Sequence, residues 1–199
     1  MDAVRAVLVS RNEDKVRELR AILAGWEIEP IGALELPEET GATFHENARA
    51  KARFGRSAVD PEAWVLGEDS GLEVEALDGR PGIYSARYGG LGATNEANVA
   101  KLLRELETVA ETARAARYVC ELVALSPRGD ETRARGTLTG RIAGEPRGTG
   151  GFGYDPVFVP EGSRQTVAEL GAEWKVEHSH RARAAHSLAE ALRTARPPL

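Results

Sequence analysis

The residues best suited to chemistry lie in two short segments of the sequence. Glu68 and Asp69 follow a run of apolar residues and precede Ser70 and a glycine, so two adjacent carboxylates fall where a strand is expected to give way to a turn. The second segment, residues 148–155, is a glycine-rich loop with an aromatic ring and a further carboxylate. Carboxylates at a strand end, together with lysine, asparagine and serine, can hold a metal ion and a phosphorylated substrate. These residue types therefore indicate an enzyme.

Two lysines are candidates for binding phosphate. Lys15 follows Ser10, Arg11 and Asn12 at a predicted strand-to-helix turn, and the free N–H groups of a helix start bind anions. Helix capping by Asn12 is the simpler interpretation of this segment alone. Lys51 lies on the apolar face of the second predicted helix, so its ammonium either extends outward to solvent or points inward at an anion. The residues alone leave both possibilities open.

The loop at Gly148–Gly153 matches the spacing G-x-G-x-x-G, but its context does not predict a dinucleotide-binding turn. That motif requires a helix directly after the glycines, whereas residues 154–159 look extended and contain a proline. We interpret the loop as a flexible backbone that a ligand can approach closely, with Phe152 able to stack on a flat ring. An ordinary hairpin loop is the alternative.

Strands and helices alternate irregularly along the chain. Apolar and alternating patterns predict strands at residues 4–9, 64–66, 72–76, 118–125, 132–142 and 157–159. Capping residues predict helices after Asn12, from Thr43 to about Val59, after Thr94, after Thr166, and after Ser179 as far as Pro197. Because regular strand–helix–strand alternation is missing, the pattern favours an α/β domain with a mixed sheet.

Composition limits the class of function. The chain has 199 residues, a net charge of −5, 42% hydrophobic and 29% charged residues, which is typical of a globular protein with a small substrate rather than a nucleic acid. Cys120 is the only cysteine, so no internal disulfide forms and a reducing compartment is expected. No apolar stretch is long enough to cross a membrane and no leader is recognised, so we expect a cytoplasmic protein.

An ordered set of short motifs runs through nearly the whole chain. The blocks are Ser10-x-Asn12-x-x-Lys15, Glu38-Glu39-Thr40-Gly41-x-Thr43-Phe44-x-Glu46-Asn47-Ala48-x-x-Lys51-Ala52, Asp69-Ser70-Gly71-Leu72, Gly79-x-Pro81-Gly82-x-Tyr84-Ser85-Ala86-Arg87-Tyr88, Phe152-Gly153-Tyr154-Asp155-Pro156 and Ser179-His180-Arg181. In this order they resemble the Ham1-like inosine triphosphate pyrophosphatase family. The resemblance implies an α/β fold, elongated and two-lobed, with a long mixed central β-sheet flanked by helices. It also implies one domain over residues 1–199 with a substrate cleft between the lobes, and a homodimer.

The same resemblance implies the reaction. Members of this family are nucleoside triphosphate pyrophosphohydrolases that convert non-canonical purine nucleotides, such as dITP, ITP, XTP and dXTP, to the monophosphate and pyrophosphate. The reaction cleanses the nucleotide pool and uses Mg²⁺. The expected partner is therefore a purine nucleoside triphosphate, with no nucleic-acid polymer and no membrane.

The resemblance further implies roles for individual residues. Asp69 would be the general base and, with Glu38, would hold Mg²⁺. The triphosphate would be bound by Ser10, Arg11, Asn12, Glu13, Asp14, Lys15 and Lys51. Other substrate contacts would come from Ser70, Phe152, Gly153, Tyr154, Asp155, Lys175, His180 and Arg181, with the Phe152 ring stacked on the purine. The family's usual Asp-Asp pair is Glu68-Asp69 in this chain, and Glu68 is not assigned to the metal.

Two alternatives stay open. One is a related pyrophosphatase of similar architecture that acts on modified pyrimidine nucleotides; the Phe-Gly-Tyr-Asp loop and the Ser-His-Arg motif disfavour it. The other is a nucleotide-binding module without catalysis, which would retain the phosphate and base contacts but could lack Asp69. The combination of Asp69 with Glu38 and Lys51 favours turnover over simple binding.

Overall fold

One mixed sheet organises the protein, which we describe from a computed structural model over residues 4–194. Its strand order is β2-β1-β3-β4-β5-β6. The strands are β1 Val4–Leu8, β2 Trp26–Pro30, β3 Trp64–Val74, β4 Ala115–Leu125, β5 Glu131–Ile142 and β6 Phe158–Pro160. The α-helices are α1 Glu13–Ile22, α2 Phe44–Ala58, α3 Asn95–Glu105, α4 Val167–His178 and α5 His180–Thr194. Strand β1 pairs in parallel with β2 and β3, whereas β5 and β6 are antiparallel, so the predicted α/β fold with a mixed sheet is confirmed.

The chain divides into two compact units, each with its own apolar core. The first contains the described residues up to Asp69, then Cys120–Gly136 and residues 180–194; the second contains Ser70–Val119 and Thr137–Ser179. A buried cluster in the first unit consists of Val9, Ile31, Ala48, Ala52, Val65, Val123 and Leu125. A larger one in the second unit includes Leu72, Leu102, Tyr118, Leu138, Tyr154 and Phe158. The prediction of a cleft between two lobes stays a prediction.

Four helices begin at the capping residues that the sequence indicates. The side chains of Asn12, Thr43, Thr94 and Thr166 each accept a hydrogen bond from the backbone N–H three residues later. These bonds satisfy donors that would otherwise lack partners in the first helical turn. The predicted end of the last helix, before Pro197, lies outside the described residues. Within residues 4–194, none of the helices has the length and apolar composition needed to cross a bilayer.

The prediction of a turn after Asp69 is wrong. Residues Trp64–Val74 form a single strand, β3, and both carboxylates lie in its interior. Gly67, directly before the two carboxylates, has a packing role: a Cβ at this position would lie 2.0 Å from the Ala48 carbonyl oxygen of α2. Gly67 therefore allows close packing of a helix on the strand rather than a change of chain direction. Strand β2, which has only five residues, was not predicted.

Candidate functional site

Strand β3 carries the two carboxylates on opposite faces of the sheet, because adjacent residues of a strand alternate in direction. Asp69 lies on the face against α2, where it joins Glu39, Asn47 and Lys51; we call these four residues the Asp69 group. Glu68 lies on the other face with Lys15, Glu18 and Arg181, which we call the Glu68 group. Both groups belong entirely to the first unit.

The Asp69 group is a buried arrangement of charges and one amide. The Asn47 Nδ2 donates to Asp69 Oδ2 at 3.1 Å, and the Lys51 ammonium donates to Asp69 Oδ1 at 3.2 Å. Lys51 Nζ also lies 2.5 Å from Glu39 Oε1 and 3.1 Å from the Glu68 carbonyl oxygen. Lys51 thus points inward, and the alternative that it extends to solvent is excluded.

Burial and charge act in opposite directions on this group. Burial raises the pKa of Asp69 above its ordinary value, and the nearby Lys51 ammonium only partly offsets this effect. Burial alone would lower the pKa of Lys51, but the carboxylates of Asp69 and Glu39 outweigh it, so the pKa of Lys51 is raised. Asp69 is therefore a carboxylate that accepts a proton more readily than an exposed aspartate, beside an ammonium that stays charged.

Helix α2 positions Lys51 and Asn47. The helix packs on β3 where glycine leaves room: Cβ atoms built at Gly55 and Gly67 would lie 2.6 Å from the Val65 side chain and 2.0 Å from the Ala48 carbonyl oxygen. Such short separations are far below van der Waals contact, so only glycine allows this spacing. The small residues along α2 and β3 therefore bring the ammonium within hydrogen-bond distance of Asp69.

The Glu68 group is more deeply buried. Glu68 Oε2 lies 2.6 Å from Lys15 Nζ, and Glu68 Oε1 accepts from Arg181 Nη2 at 3.0 Å. The other arm of the Arg181 guanidinium pairs with Glu18 of α1. Burial would raise the pKa of Glu68, but the charges of Lys15 and Arg181 outweigh it and hold that pKa well below the usual range. Two cations of different elements therefore share one ionised carboxylate.

Lys15 comes from the first turn of α1, whose start is capped by the Asn12 side chain. The Asn12 N–H donates to Ser10 Oγ at 3.1 Å, and the Lys15 N–H donates to Asn12 Oδ1 at 3.1 Å. Arg11 is exposed and donates to the Leu34 carbonyl. Two further predicted phosphate-binding residues, Glu13 and Asp14, occupy the first helical turn, and Asp14 pairs with Arg17.

The predicted metal ligands differ in surroundings. Asp69 is buried in the group described above, whereas Glu38 is exposed in the segment before α2. The neighbouring Glu39, not Glu38, contacts Lys51. In the part of the chain that the structure describes, no set of three or more His, Cys, Asp or Glu side chains converges as a metal site. A metal at Asp69 would therefore need ligands from elsewhere, such as a substrate.

A third cluster lies in the second unit and consists of Tyr118, Phe152, Asp155 and Lys175; we call it the Asp155 group. The buried Asp155 carboxylate accepts from the Tyr118 hydroxyl at 3.1 Å, from Lys175 Nζ at 2.6 Å and from the Phe152 N–H at 2.9 Å. The Lys175 ammonium lies 4.6 Å from the centre of the Phe152 ring, a cation–π distance. Asp155 thus fixes the loop that carries the aromatic ring.

The remaining predicted substrate residues lie in both units. In the second unit, Ser70 is half-buried in β3 and Gly153 is half-buried with a φ of +63°, while the Tyr154 hydroxyl donates to the Ser85 carbonyl at 2.8 Å. In the first unit, His180 is buried at the start of α5, directly before Arg181. The structure therefore brings together the predicted phosphate residues in one unit and Phe152, Asp155 and Lys175 in the other.

Sequence analysis missed four residues that hold these groups together. They are Glu18, Glu39, Asn47 and Tyr118, each of which binds a predicted site residue. Only Glu39 and Asn47 carried a signal, because both lie inside or beside the motif that precedes α2.

Comparison with known proteins places the chain among named relatives. The Ham1 family profile matches residues 6–191. A "dITP/XTP pyrophosphatase" of Deinococcus deserti is 44% identical over 196 residues, which are 98% of this chain and 92% of that protein. A protein of the same name from Thermus thermophilus is 46% identical over 200 residues, covering 98% of this chain and 95% of that relative.

Solved structures agree with these sequence matches. The Ham1 protein of Staphylococcus aureus aligns with a TM-score of 0.84 at 37% identity, covering 96% of this chain and 100% of that one. A HAM1 protein of Coxiella burnetii gives a TM-score of 0.84 at 36% identity, with coverages of 96% and 100%. The shared fold, the length of the matches and the ordered motifs lead to one conclusion: this chain belongs to the Ham1 family.

Proposed function

We propose that the chain is a nucleoside triphosphate pyrophosphohydrolase that converts dITP, ITP, XTP and dXTP to the monophosphate and pyrophosphate, and so cleanses the nucleotide pool. Its relatives from Deinococcus deserti and Thermus thermophilus are named dITP/XTP pyrophosphatases. The observation that carries the proposal is the buried Asp69 carboxylate, held 3.2 Å from the Lys51 ammonium and 3.1 Å from the Asn47 amide.

Asp69 has the properties of a general base in this reaction. Burial raises its pKa, which makes the carboxylate a better proton acceptor than an exposed aspartate. In the proposed reaction it takes a proton from the water that attacks the α-phosphorus, and the bond to the pyrophosphate breaks on the opposite side. Lys51 and Lys15 neutralise the negative charge that grows on the leaving pyrophosphate.

The donor set fits Mg²⁺ that binds together with substrate. Mg²⁺ in nucleotide enzymes takes one or two protein carboxylates, and phosphate oxygens and water complete the octahedron. Asp69 and Glu38 are the proposed ligands, and Glu39 is a further candidate because it reaches the same ammonium as Asp69. When bound, the ion would polarise the phosphates and screen their charge.

The Asp155 group suits the purine. Because Lys175 lies against one face of the Phe152 ring, the base is proposed to stack on the other face. A 6-oxo purine has a hydrogen-bond acceptor where adenine has a donor. If the base site holds buried donors at this position, adenine leaves them unpaired, and the site selects 6-oxo purines over adenine by about 10⁴-fold. Of the substrate contacts predicted from the sequence, we propose Ser70, Gly153, Tyr154, Asp155, Lys175 and His180. Arg181 is 1% exposed and its guanidinium binds Glu18 and Glu68 instead.

Two further properties are proposed from the family resemblance. The first is a homodimer, which sedimentation analysis of the purified protein would test. The second is a cytoplasmic location, where nucleoside triphosphates are made and used.

Pyrophosphate release tests the proposed function. Purified protein with Mg²⁺ is given dITP or XTP, and in parallel dATP, dGTP and dTTP. We expect rapid pyrophosphate release from the first two only, and a loss of at least about 10²-fold in kcat for Asp69→Asn. Release of orthophosphate, a preference for pyrimidines, or a near-normal rate in Asp69→Asn would contradict the proposal. Tight binding of dITP without any turnover would instead support the non-catalytic nucleotide-binding alternative.

A further inference from the structure

Glu68 has no exposed surface, yet two cationic side chains contact its carboxylate. Its side chain is 0% exposed, whereas that of its partner Lys15 is 16% exposed. A carboxylate that a substrate or a metal ion is to touch must present an oxygen to it, and Glu68 presents none. Its oxygens lie instead 2.6 Å from Lys15 Nζ and 3.0 Å from Arg181 Nη2.

The partners of Glu68 form a chain of contacts from the protein interior to Lys15, whose side chain is 16% exposed. Glu18 and Glu68 both bind the guanidinium of Arg181, which is 1% exposed. Arg181 binds one carboxylate oxygen of Glu68 and so fixes the orientation of that carboxylate. The other oxygen forms the ion pair with Lys15. A lysine side chain has several rotatable bonds, and an ion pair to a fixed carboxylate removes much of that freedom before any ligand arrives.

We infer that Glu68 is a positioning residue: its carboxylate, fixed by Arg181 and Glu18, holds the Lys15 ammonium where a phosphate chain binds, and it does not ligate the metal. The inference rests on the proposed function only for the identity of the phosphate ligand. It assigns Glu68 a role that differs from that of its neighbour Asp69, although the two carboxylates are adjacent in sequence.

The effect of removing the charge distinguishes positioning from competition. If Glu68 merely competed with phosphate for Lys15, neutralising it would free the ammonium and tighten the binding of an anion. If Glu68 positions Lys15, neutralising it leaves the ammonium mobile, and anion binding weakens despite the gain in net positive charge. The two possibilities predict opposite signs.

The test uses Glu68→Gln, which keeps the size of the side chain, and inorganic tripolyphosphate as the probe. Calorimetry with the full chain should show that its Kd rises at least about tenfold, since a small misplacement of a binding group is costly. The matched control is Glu121→Gln: Glu121 is also a buried carboxylate, bound at 2.9 Å and 2.8 Å by Arg133, but it lies outside both groups. Tripolyphosphate binding by this control should not change. Unchanged or tighter binding by Glu68→Gln would overturn the inference.

The role of Lys15 is tested by a double-mutant cycle. Once Lys15→Met has removed the ammonium, Glu68→Gln should weaken tripolyphosphate binding no further, because residues that act through one another are not additive. Additive losses would contradict the inference. If Glu68→Gln does not fold, Glu18→Gln takes its place, since it weakens the support of Arg181 and leaves the Glu68 carboxylate in place. We expect a weaker effect, about threefold, in the same direction. Unchanged binding by that folded variant would overturn the inference.

Metal dependence separates positioning from ligation. With dITP as substrate, the Mg²⁺ concentration for half-maximal activity should be the same in Glu68→Gln and the unmodified protein, while KM rises. A raised Mg²⁺ requirement at saturating dITP would identify Glu68 as a ligand and overturn the inference. If the unmodified protein releases no pyrophosphate from dITP but Glu68→Gln still weakens tripolyphosphate binding, the proposed function fails and the positioning role stands.

Discussion

Asp69 accepts a proton only when its carboxylate is ionised, so its pKa sets the pH range of the proposed reaction. Burial raises that pKa, and the Lys51 ammonium at 3.2 Å opposes the effect. The sign follows directly: the base is inactive when protonated, so kcat/KM should rise with pH as Asp69 loses its proton. Because the pKa is raised, this rise should lie above the ordinary aspartate value of about 3.9.

Lys51→Met should move the acid side of the pH profile further upward. Without the ammonium, burial is less opposed and the pKa of Asp69 increases. The measurement is kcat/KM for dITP between pH 4 and pH 8. The pH at which kcat/KM reaches half its maximum does not depend on how much activity the variant loses overall. Lys101→Met is the control, because that ammonium donates to the Tyr88 carbonyl and not to Asp69. If Lys51→Met does not move this midpoint, the acid side of the pH profile does not report the ionisation of Asp69.

The Tyr118 hydroxyl is a second residue whose contribution can be isolated. It donates to Asp155 Oδ1 at 3.1 Å, and Asp155 in turn accepts from the N–H of Phe152, the proposed stacking residue. Tyr118→Phe removes this hydrogen bond and keeps the ring, whose centre lies 4.5 Å from that of the Phe158 ring. We expect KM for dITP to rise about threefold to tenfold with little change in kcat. A hydrogen bond to a charged group contributes about 1.5–3 kcal/mol, and only part of that energy should be lost from substrate binding.

Steady-state kinetics with dITP measures this effect, and Tyr84→Phe provides the control. Tyr84 is 55% exposed, so removing its hydroxyl should leave both constants unchanged. Equal KM values for Tyr118→Phe and the unmodified protein would show that Asp155 holds the loop without the hydroxyl.

At the scale of elements, β3 determines which carboxylate meets which helix. Glu68 and Asp69 face opposite sides, and a shift of one residue in the pairing of β3 would exchange them. Gly67 sets the distance between this strand and α2, because any Cβ there would lie 2.0 Å from the Ala48 carbonyl oxygen. The separation of Lys51 from Asp69 therefore depends on a residue that has no side chain.

Gly67→Ala should lower both stability and activity. The added methyl group forces α2 away from β3, which costs about 1–3 kcal/mol in the free energy of unfolding and moves Lys51 from Asp69. Thermal unfolding and pyrophosphate release from dITP measure the two effects. Ala50→Ser, on the exposed face of α2, should cost only about 0.5 kcal/mol and leave the rate unchanged. Full activity in Gly67→Ala would mean that the spacing of α2 and β3 does not govern the reaction.

Local chemistry explains which elements could be predicted. The caps at Asn12, Thr43, Thr94 and Thr166 depend on residues within one helical turn, so they are visible in the sequence. The continuity of β3 cannot be seen in the sequence, because the role of Gly67 depends on a helix that lies about 20 positions earlier in the chain. A glycine that allows close packing and a glycine that allows a turn look the same in sequence.

At the scale of the whole molecule, the residues of the candidate site also divide into those that local sequence indicates and those that only tertiary packing brings to the site. Lys15, Lys51, Asp69 and Phe152 belong to short motifs whose order is typical of the family, so they could be named in advance. Their supporting residues could not, because packing joins them from distant segments: Glu18 binds Arg181 across 163 positions, and Tyr118 binds Asp155 across 37. A motif gives the residues that act, whereas tertiary contacts give those that hold them.

Lysine is scarce in this protein: it supplies only four of the 26 basic residues. Three of the four lie in the groups described above, with side-chain exposures of 16% for Lys15, 9% for Lys51 and 5% for Lys175. The fourth, Lys101, is 35% exposed. Acylation by an amine-reactive reagent requires contact with the nitrogen, so the rates of labelling should follow this order of exposure.

Brief treatment with acetic anhydride, followed by peptide mass mapping, should therefore find Lys101 acetylated first and Lys51 and Lys175 last. Equal labelling of all four would contradict the burial of the two inner ammonium groups. The practical consequence concerns attachment of the protein to dyes and surfaces. Among its lysines, amine coupling should select Lys101, and the three ammonium groups proposed to bind the nucleotide should escape modification.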